Sequence, residues 1–164
     1  MNYVSKLEDK IELIKSKFSG LVGKEISFYE LPQLWLEDEQ RWDNWMDLPL
    51  VLTFGDQKLS ISWQKFDELA IEAGAVVPYS LAGQTVRWLT EGVNVLDQVL
   101  GKRLTAVSLR KGQMSIETQA HHIWTDLLLS LDDGSTLAIF NALDENGIAR
   151  HTTSNLDSQS IKCV

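Results

Sequence analysis

The chain is 164 residues long, with 44% hydrophobic and 23% charged residues, three prolines and a formal net charge of −8; the length predicts one domain rather than two large ones, and the composition is that of a core-forming chain, far from disordered or collagen-like classes. No apolar run approaches the roughly 20 residues of a membrane-spanning helix, and Lys6, Glu8, Asp9, Lys10 and Glu12 interrupt the N-terminal apolar residues where a signal peptide would be continuous; a cytoplasmic location with no membrane partner is expected. The single cysteine, Cys163, excludes an intrachain disulfide and a cysteine-based zinc site.

The first segment predicts a helix. Val4, Leu7, Ile11, Ile14 and Phe18 recur at three- and four-residue spacing, Ser5 with Glu8 fits a capping box, and Gly20 fits a left-handed helix end. Such a stripe is expected to dock on the chain's own sheet. After Gly23 the period becomes two, with Ile26 and Phe28 on one side of a strand. Leu50, Leu52 and Phe54, then Gly55-Asp56-Gln57-Lys58, then Leu59, Ile61 and Trp63 predict a hairpin with one buried face and Ser60 and Ser62 turned outward.

A similar series follows: Leu104 and Ala106, then Leu127, Leu129 and Leu131, a turn at Asp132-Asp133-Gly134-Ser135, then Leu137 and Ile139. Gly23-Lys24 aligns with Gly101-Lys102, Trp45-Met46-Asp47 with Trp124-Thr125-Asp126, Leu59-Ser60-Ile61 with Leu137-Ala138-Ile139, and Asp67-Glu68 with Asp144-Glu145, with small insertions between them. Convergent hairpin chemistry is the competing explanation. Duplication would place Trp63 and Phe140 on opposite faces, both substantially buried. The expected fold class is α+β, with internally duplicated helix plus antiparallel β-hairpin units and the helices packed on one face of antiparallel sheet. Residues 1–150 form the expected domain, with repeat 1 at about 1–72, repeat 2 at about 90–149, and a polar C-terminal tail at 151–164.

Charge is concentrated in the first repeat. Between Glu25 and Glu72 eleven acids face three bases, a balance of −8, and the rest of the chain is neutral. Within that stretch Trp35, Trp42 and Trp45 punctuate a run containing Glu37, Asp38, Glu39, Asp43 and Asp47. As a helix the run would pack its tryptophans on the sheet; as a loop it would present aromatics beside carboxylates, a chemistry suited to cations, sugar faces or protein hot spots. The eight residues Trp35, Glu37, Asp38, Glu39, Trp42, Asp43, Trp45 and Asp47 are therefore the candidate partner-binding set.

Catalytic and metal motifs are sparse. His121 and His122 are adjacent and would point to opposite faces of a strand, and His151 lies in the polar tail. Asp132-Asp133-Gly134-Ser135 lacks the alternating ligands and distal glutamate of a calcium loop. There is no nucleophile elbow, phosphate-binding glycine loop or dinucleotide fingerprint, and paired carboxylates such as Glu37 with Glu39 or Asp67 with Glu68 need desolvation before they can do acid–base work. No cofactor or metal is expected, and the acidic balance without a Lys/Arg stripe argues against nucleic acid. The plan resembles that of many small bacterial proteins, a likeness of generic hairpins that transfers no site. The sequence points to a non-catalytic binding or inhibitory module, for example an immunity-type protein that meets a basic protein partner through its acidic, Trp-rich first repeat. The alternative is a small-molecule or carbohydrate-binding domain or hydrolase using the same groups. Oligomeric state is not legible.

Overall fold

The computed structural model describes residues 1–44, 46–74, 85–116, 119–142, 145–152 and 160–164, with the side chains of 113–122 excepted. Its elements are α1 (Leu7–Phe18), β1 (Ile26–Leu36), β2 (Arg41–Asn44), β3 (Leu50–Phe54), β4 (Gln57–Gln64), β5 (Glu68–Ala73), β6 (Val86–Leu89), α2 (Asn94–Asp97), β7 (Leu104–Ile116), β8 (Gln119–Leu131), β9 (Thr136–Asn141), β10 (Asn146–His151) and β11 (Ser160–Lys162). The first sheet runs β2-β1-β3-β4-β5 with β6 also on β1; the second runs β10-β9-β8-β7-β11.

The expected α+β class is corrected. Among the described residues strand accounts for 55% and helix for 12%, in two antiparallel sheets. Each alternating series continues one strand beyond the expected hairpin, into β5 and into β10, so that the larger units are four-stranded meanders. The second helix shrinks to one turn because Gly92 (φ +84°) and Gly101 (φ +79°) close off a segment whose buried apolar residues are only Leu96 and Val99. Nor does α1 cover one face of its own sheet alone: it touches β5 of one sheet and β7 of the other, and its Ile14 and Phe18 join a single core with residues of both.

The two meanders pair in the same register. Leu50 faces Ile61 and Leu52 faces Leu59 in the first; Leu127 faces Ile139 and Leu129 faces Leu137 in the second. A bulge falls between Ile26 and Phe28, and another between Leu104 and Ala106. An extra residue switches the side chains that follow to the other face. Tyr29 and Val107 are consequently the buried residues, and Phe28, expected to share the inner face with Ile26, is 38% exposed.

Where the sheets meet, the amide of Gly23 donates to the carbonyl of Leu104 (2.7 Å) and that of Gly101 to Ile26 (2.9 Å), while Ile26 donates to Lys102 (2.8 Å) and Leu104 to Lys24 (2.9 Å). This exchange is reciprocal about a local two-fold. Gly23 holds φ +85°, a conformation that favours glycine at the entry to the seam. Trp63 reinforces the junction: its ring is fully buried, its Nε1–H donates to the Ile139 carbonyl (3.0 Å), and its amide donates to Asn146 Oδ1 (2.8 Å). Phe140 is only half-buried, lying over Gly147 of the neighbouring strand.

Both chain ends depart from expectation. Ser5 makes no cap; Lys6 precedes α1 without a side-chain capping bond. Instead Val4 bridges to Leu69 and the Tyr3 hydroxyl meets Ser62 Oγ (2.9 Å), so Ser62 is buried, as is Ser60, whose hydroxyl donates to the Gly74 carbonyl (2.7 Å). At the other end, residues 153–159 lie outside the described residues, but β11 pairs with β7, and the Cys163 amide donates to Val107 (2.8 Å) and its side chain is buried. Among the described residues no helix is long and apolar enough to cross a membrane.

Candidate acidic and aromatic hairpin site

The run from Leu34 to Asn44 is a strand, a turn and a strand. β1 continues past its pairing with β3, and its second half carries β2 on one side and β6 on the other, forming a three-stranded arm. The turn spans residues 37–40. Gln40 holds φ +52°, uncommon for a residue with a Cβ, and its side-chain amide donates to the Glu37 carbonyl (2.7 Å).

Register assigns the side chains to faces. Trp35 sits opposite Trp42 and Gln33 opposite Asn44, while Gln33 also sits opposite Arg87 of β6. These residues share one face, since residues directly across a sheet project to the same side. Contacts agree: the rings of Trp35 and Trp42 meet edge to face at 5.4 Å, the Arg87 guanidinium stacks over Trp42 at 4.2 Å, Arg87 Nε donates to Gln33 Oε1 (2.9 Å), and Gln33 Nε2 donates to Asn44 Oδ1 (2.8 Å). Both rings are half-buried. The opposite face carries Pro32, Leu34, Leu36, Val86 and Trp88.

Carboxylates crowd the tip. Glu37, Asp38 and Glu39 are exposed, and with Leu34, Trp35, Leu36 and Thr85 they line an open recess of about 290 Å³. Arg41 pairs with Glu39 and with Asp43 (2.9 Å), and those two carboxylates hold its guanidinium above its usual pKa. The Glu37 and Asp38 carboxylates have no ion-pair partner among the described residues. Between Leu34 and Asp47 five acids stand against one base, leaving −4.

Six of the eight candidate residues thus gather on the hairpin: Trp35, Glu37, Asp38, Glu39, Trp42 and Asp43. Trp45 lies outside the described residues. Asp47 is exposed at the foot of the arm, beside a segment fixed by Asn146, whose amide donates to the Met46 carbonyl (2.8 Å) and whose side chain donates to the Leu48 carbonyl (3.0 Å). Sequence reasoning missed Gln33, Thr85 and Arg87. Gln33 carries no motif, and the other two come from about fifty residues further along, brought in only when β6 pairs with β1. His121 and His122 fall where side chains are not described, and among the described residues no group of His, Cys, Asp and Glu is arranged to hold a metal. A second recess of about 360 Å³, lined by Ser16, Lys17, Leu21, Lys58 and neighbours, is separate from the arm; its Lys58 is already paired with Glu30 (2.7 Å). No protein-family model, curated protein or solved structure matches the chain.

Proposed function

We propose that this protein is a non-catalytic binding or inhibitory module, of the immunity type, that engages a basic protein partner through the β1–β2 hairpin. The observation that carries the reading is the half-buried Trp35–Trp42 pair fixed on the three-stranded arm beside exposed carboxylates, two of which, Glu37 and Asp38, have no ion-pair partner among the described residues. Aromatic rings held rigid at low entropic cost are the side chains that most often anchor interfaces, and a local field of one sign accelerates encounter with the other. The small-molecule or carbohydrate-binding alternative needs a concave pocket, and the hydrolase alternative needs in addition a desolvated carboxylate as general acid. Glu37, Asp38 and Glu39 are all exposed, which favours the protein partner.

The test is capture of a partner from source-cell lysate, followed by association and dissociation rates at low and high salt for Trp42→Ala and for Glu37→Gln/Glu39→Gln. The charge variant is expected to slow association mainly at low salt, since charges separated by more than about 10 Å are screened at 0.1 M. Trp42→Ala is expected to speed dissociation at both, with a cost of about 2 kcal/mol. Unchanged rates in both variants would move the function elsewhere on the molecule.

A further inference from the structure

We infer that the partner binds by strand addition, laying a basic extended segment along the open edge of β2; the inference rests on the proposed role of the hairpin and specifies how it is used. The geometry comes from hydrogen-bond alternation. The amide of Trp35 donates to the Thr85 carbonyl (2.9 Å), so the backbone groups of Trp35 point toward β6 and away from β2. Trp35 and Trp42 are therefore a non-hydrogen-bonded pair, and the N–H and C=O of Trp42 point outward, away from β1. Asn44, two residues on and opposite Gln33, has the same orientation. Asp43 and Arg41 belong to the pairs that bond to β1. Among the described residues β2 pairs with β1 alone and ends its sheet, so Trp42 and Asn44 present two donors and two acceptors at the edge.

Charge selects the occupant. A four-residue strand bearing charged side chains resists self-association, because a second copy would bring the same acidic arm against itself. A lysine- or arginine-bearing strand meets the opposite situation: it pairs with the edge while its side chains reach Asp43 on β2 and Glu37, Asp38 and Glu39 at the turn. Main-chain bonds then supply affinity and the carboxylates supply choice of partner.

The probe is an end-blocked nine-residue peptide alternating lysine and threonine, titrated into the full chain at about 20 mM salt, where screening is weak. Strand addition predicts slowed hydrogen exchange at the Trp42 and Asn44 amides, with no change at Asp43. It predicts that N-methylation of alternate peptide residues, which removes the donors to the Trp42 and Asn44 carbonyls, weakens binding at least about tenfold while methylation of the intervening residues does not. Asn44→Pro, which removes the outward amide, should bind at least about tenfold more weakly than Asn44→Ala, which loses the same side chain and keeps that amide. Binding that tolerates methylation at every position, or equal affinities of the two Asn44 variants, overturns strand addition. If Glu37→Gln/Glu39→Gln still weakens that binding, the acidic-surface reading stands without it. No binding of the peptide overturns strand addition, and the hairpin role falls with it only if the charge variant also leaves the captured partner's rates unchanged.

Discussion

Lys10 lies on the face of α1 that also carries Ile14 and Phe18, and its side chain is fully buried. Its ammonium donates to the Trp124 carbonyl (2.9 Å), lies 3.3 Å from Asp67 Oδ2, and stands 5.4 Å from the centre of the Trp63 ring. Desolvation depresses its pKa, with Asp67 pulling the other way. Removing one member of a buried pair commonly costs about 3–5 kcal/mol because the survivor is left uncompensated, whereas replacing the charge by an apolar side chain of similar length is often neutral. Asp67 is a third exposed, so water screens part of the pairing, and Asp67→Ala is expected to cost about 2 kcal/mol. Lys10→Met loses one donor to Trp124, about 1 kcal/mol, but recovers the desolvation, so its stability should stay within about 1 kcal/mol of wild type. The double variant should then be more stable than Asp67→Ala alone. The sign with pH follows from linkage: the unfolded lysine keeps its proton up to about 10.5 and the folded one releases it earlier, so in the window below 10.5 the unfolded state binds more protons and stability rises with pH. Lys10→Met should lack that rise. Urea unfolding at pH 7 and across the alkaline window reads both effects. A Lys10→Met variant less stable than Asp67→Ala, or a double variant that adds the two losses, would refute the view that the charge is a desolvated burden held by its partner.

Three further outcomes are expected. The Ser135 hydroxyl and amide, with Lys102 and Arg150, hold Asp133 down at about 2, so its stabilisation is present above the ordinary value of 3.8 and lost as pH falls from there toward 2; Asp133→Asn should flatten that part of an acid-unfolding profile. The buried Tyr29 hydroxyl donates to Asp97 (2.6 Å) and accepts from the Val93 amide (3.1 Å), fixing α2 against the first sheet; Tyr29→Phe should cost about 1–2 kcal/mol in urea unfolding. Burial and Asp97 push that hydroxyl up to about 12, so wild-type stability should decline between pH 10 and 12 and the variant should lack the decline. Gly147→Ala would place a Cβ 2.3 Å from Cε2 of Phe140, and displacement of that ring should cost about 1–3 kcal/mol, measured as a lower Tm.

Alternation made the inner faces legible where the ladder is regular. Leu50, Leu52, Leu59, Ile61, Leu127, Leu129, Leu137 and Ile139 are buried as their spacing implies. At Phe28 and Ala106 it misled, because a bulge inserts a residue without changing the hydrophobic pattern on either side, and only the pairing strand reveals the count. The serines of β4 illustrate the same limit from another side. Ser60 and Ser62 alternate outward correctly, but both are buried: Val4, placed in the helical stripe by periodicity, instead pairs with Leu69 of β5 and brings the Tyr3 hydroxyl to Ser62, while Ser60 bonds to the Gly74 carbonyl. The helical stripe likewise concealed Lys10, since a charge between apolar positions reads as the solvated side until Asp67, in the turn between β4 and β5, and Trp124 of β8 supply its partners.

For the hairpin, sequence supplied the residues and withheld their arrangement. Trp35 and Trp42 are seven apart, a spacing that places them on one face of a helix and equally opposite each other across a four-residue turn. Local composition cannot separate these, because charged residues suit either a solvated helix or an exposed turn. What decides is the neighbour: β6 pairs along the second half of β1 and gives it a ladder to extend on, so the acidic run has a strand to fold back against. The same pairing orients the Trp35 backbone toward Thr85, and that orientation leaves the Trp42 and Asn44 amides facing outward. An edge able to accept a strand is thus a consequence of contacts made fifty residues downstream, and any change that frees β6 from β1 should turn the edge and blunt the site even with every carboxylate and tryptophan in place.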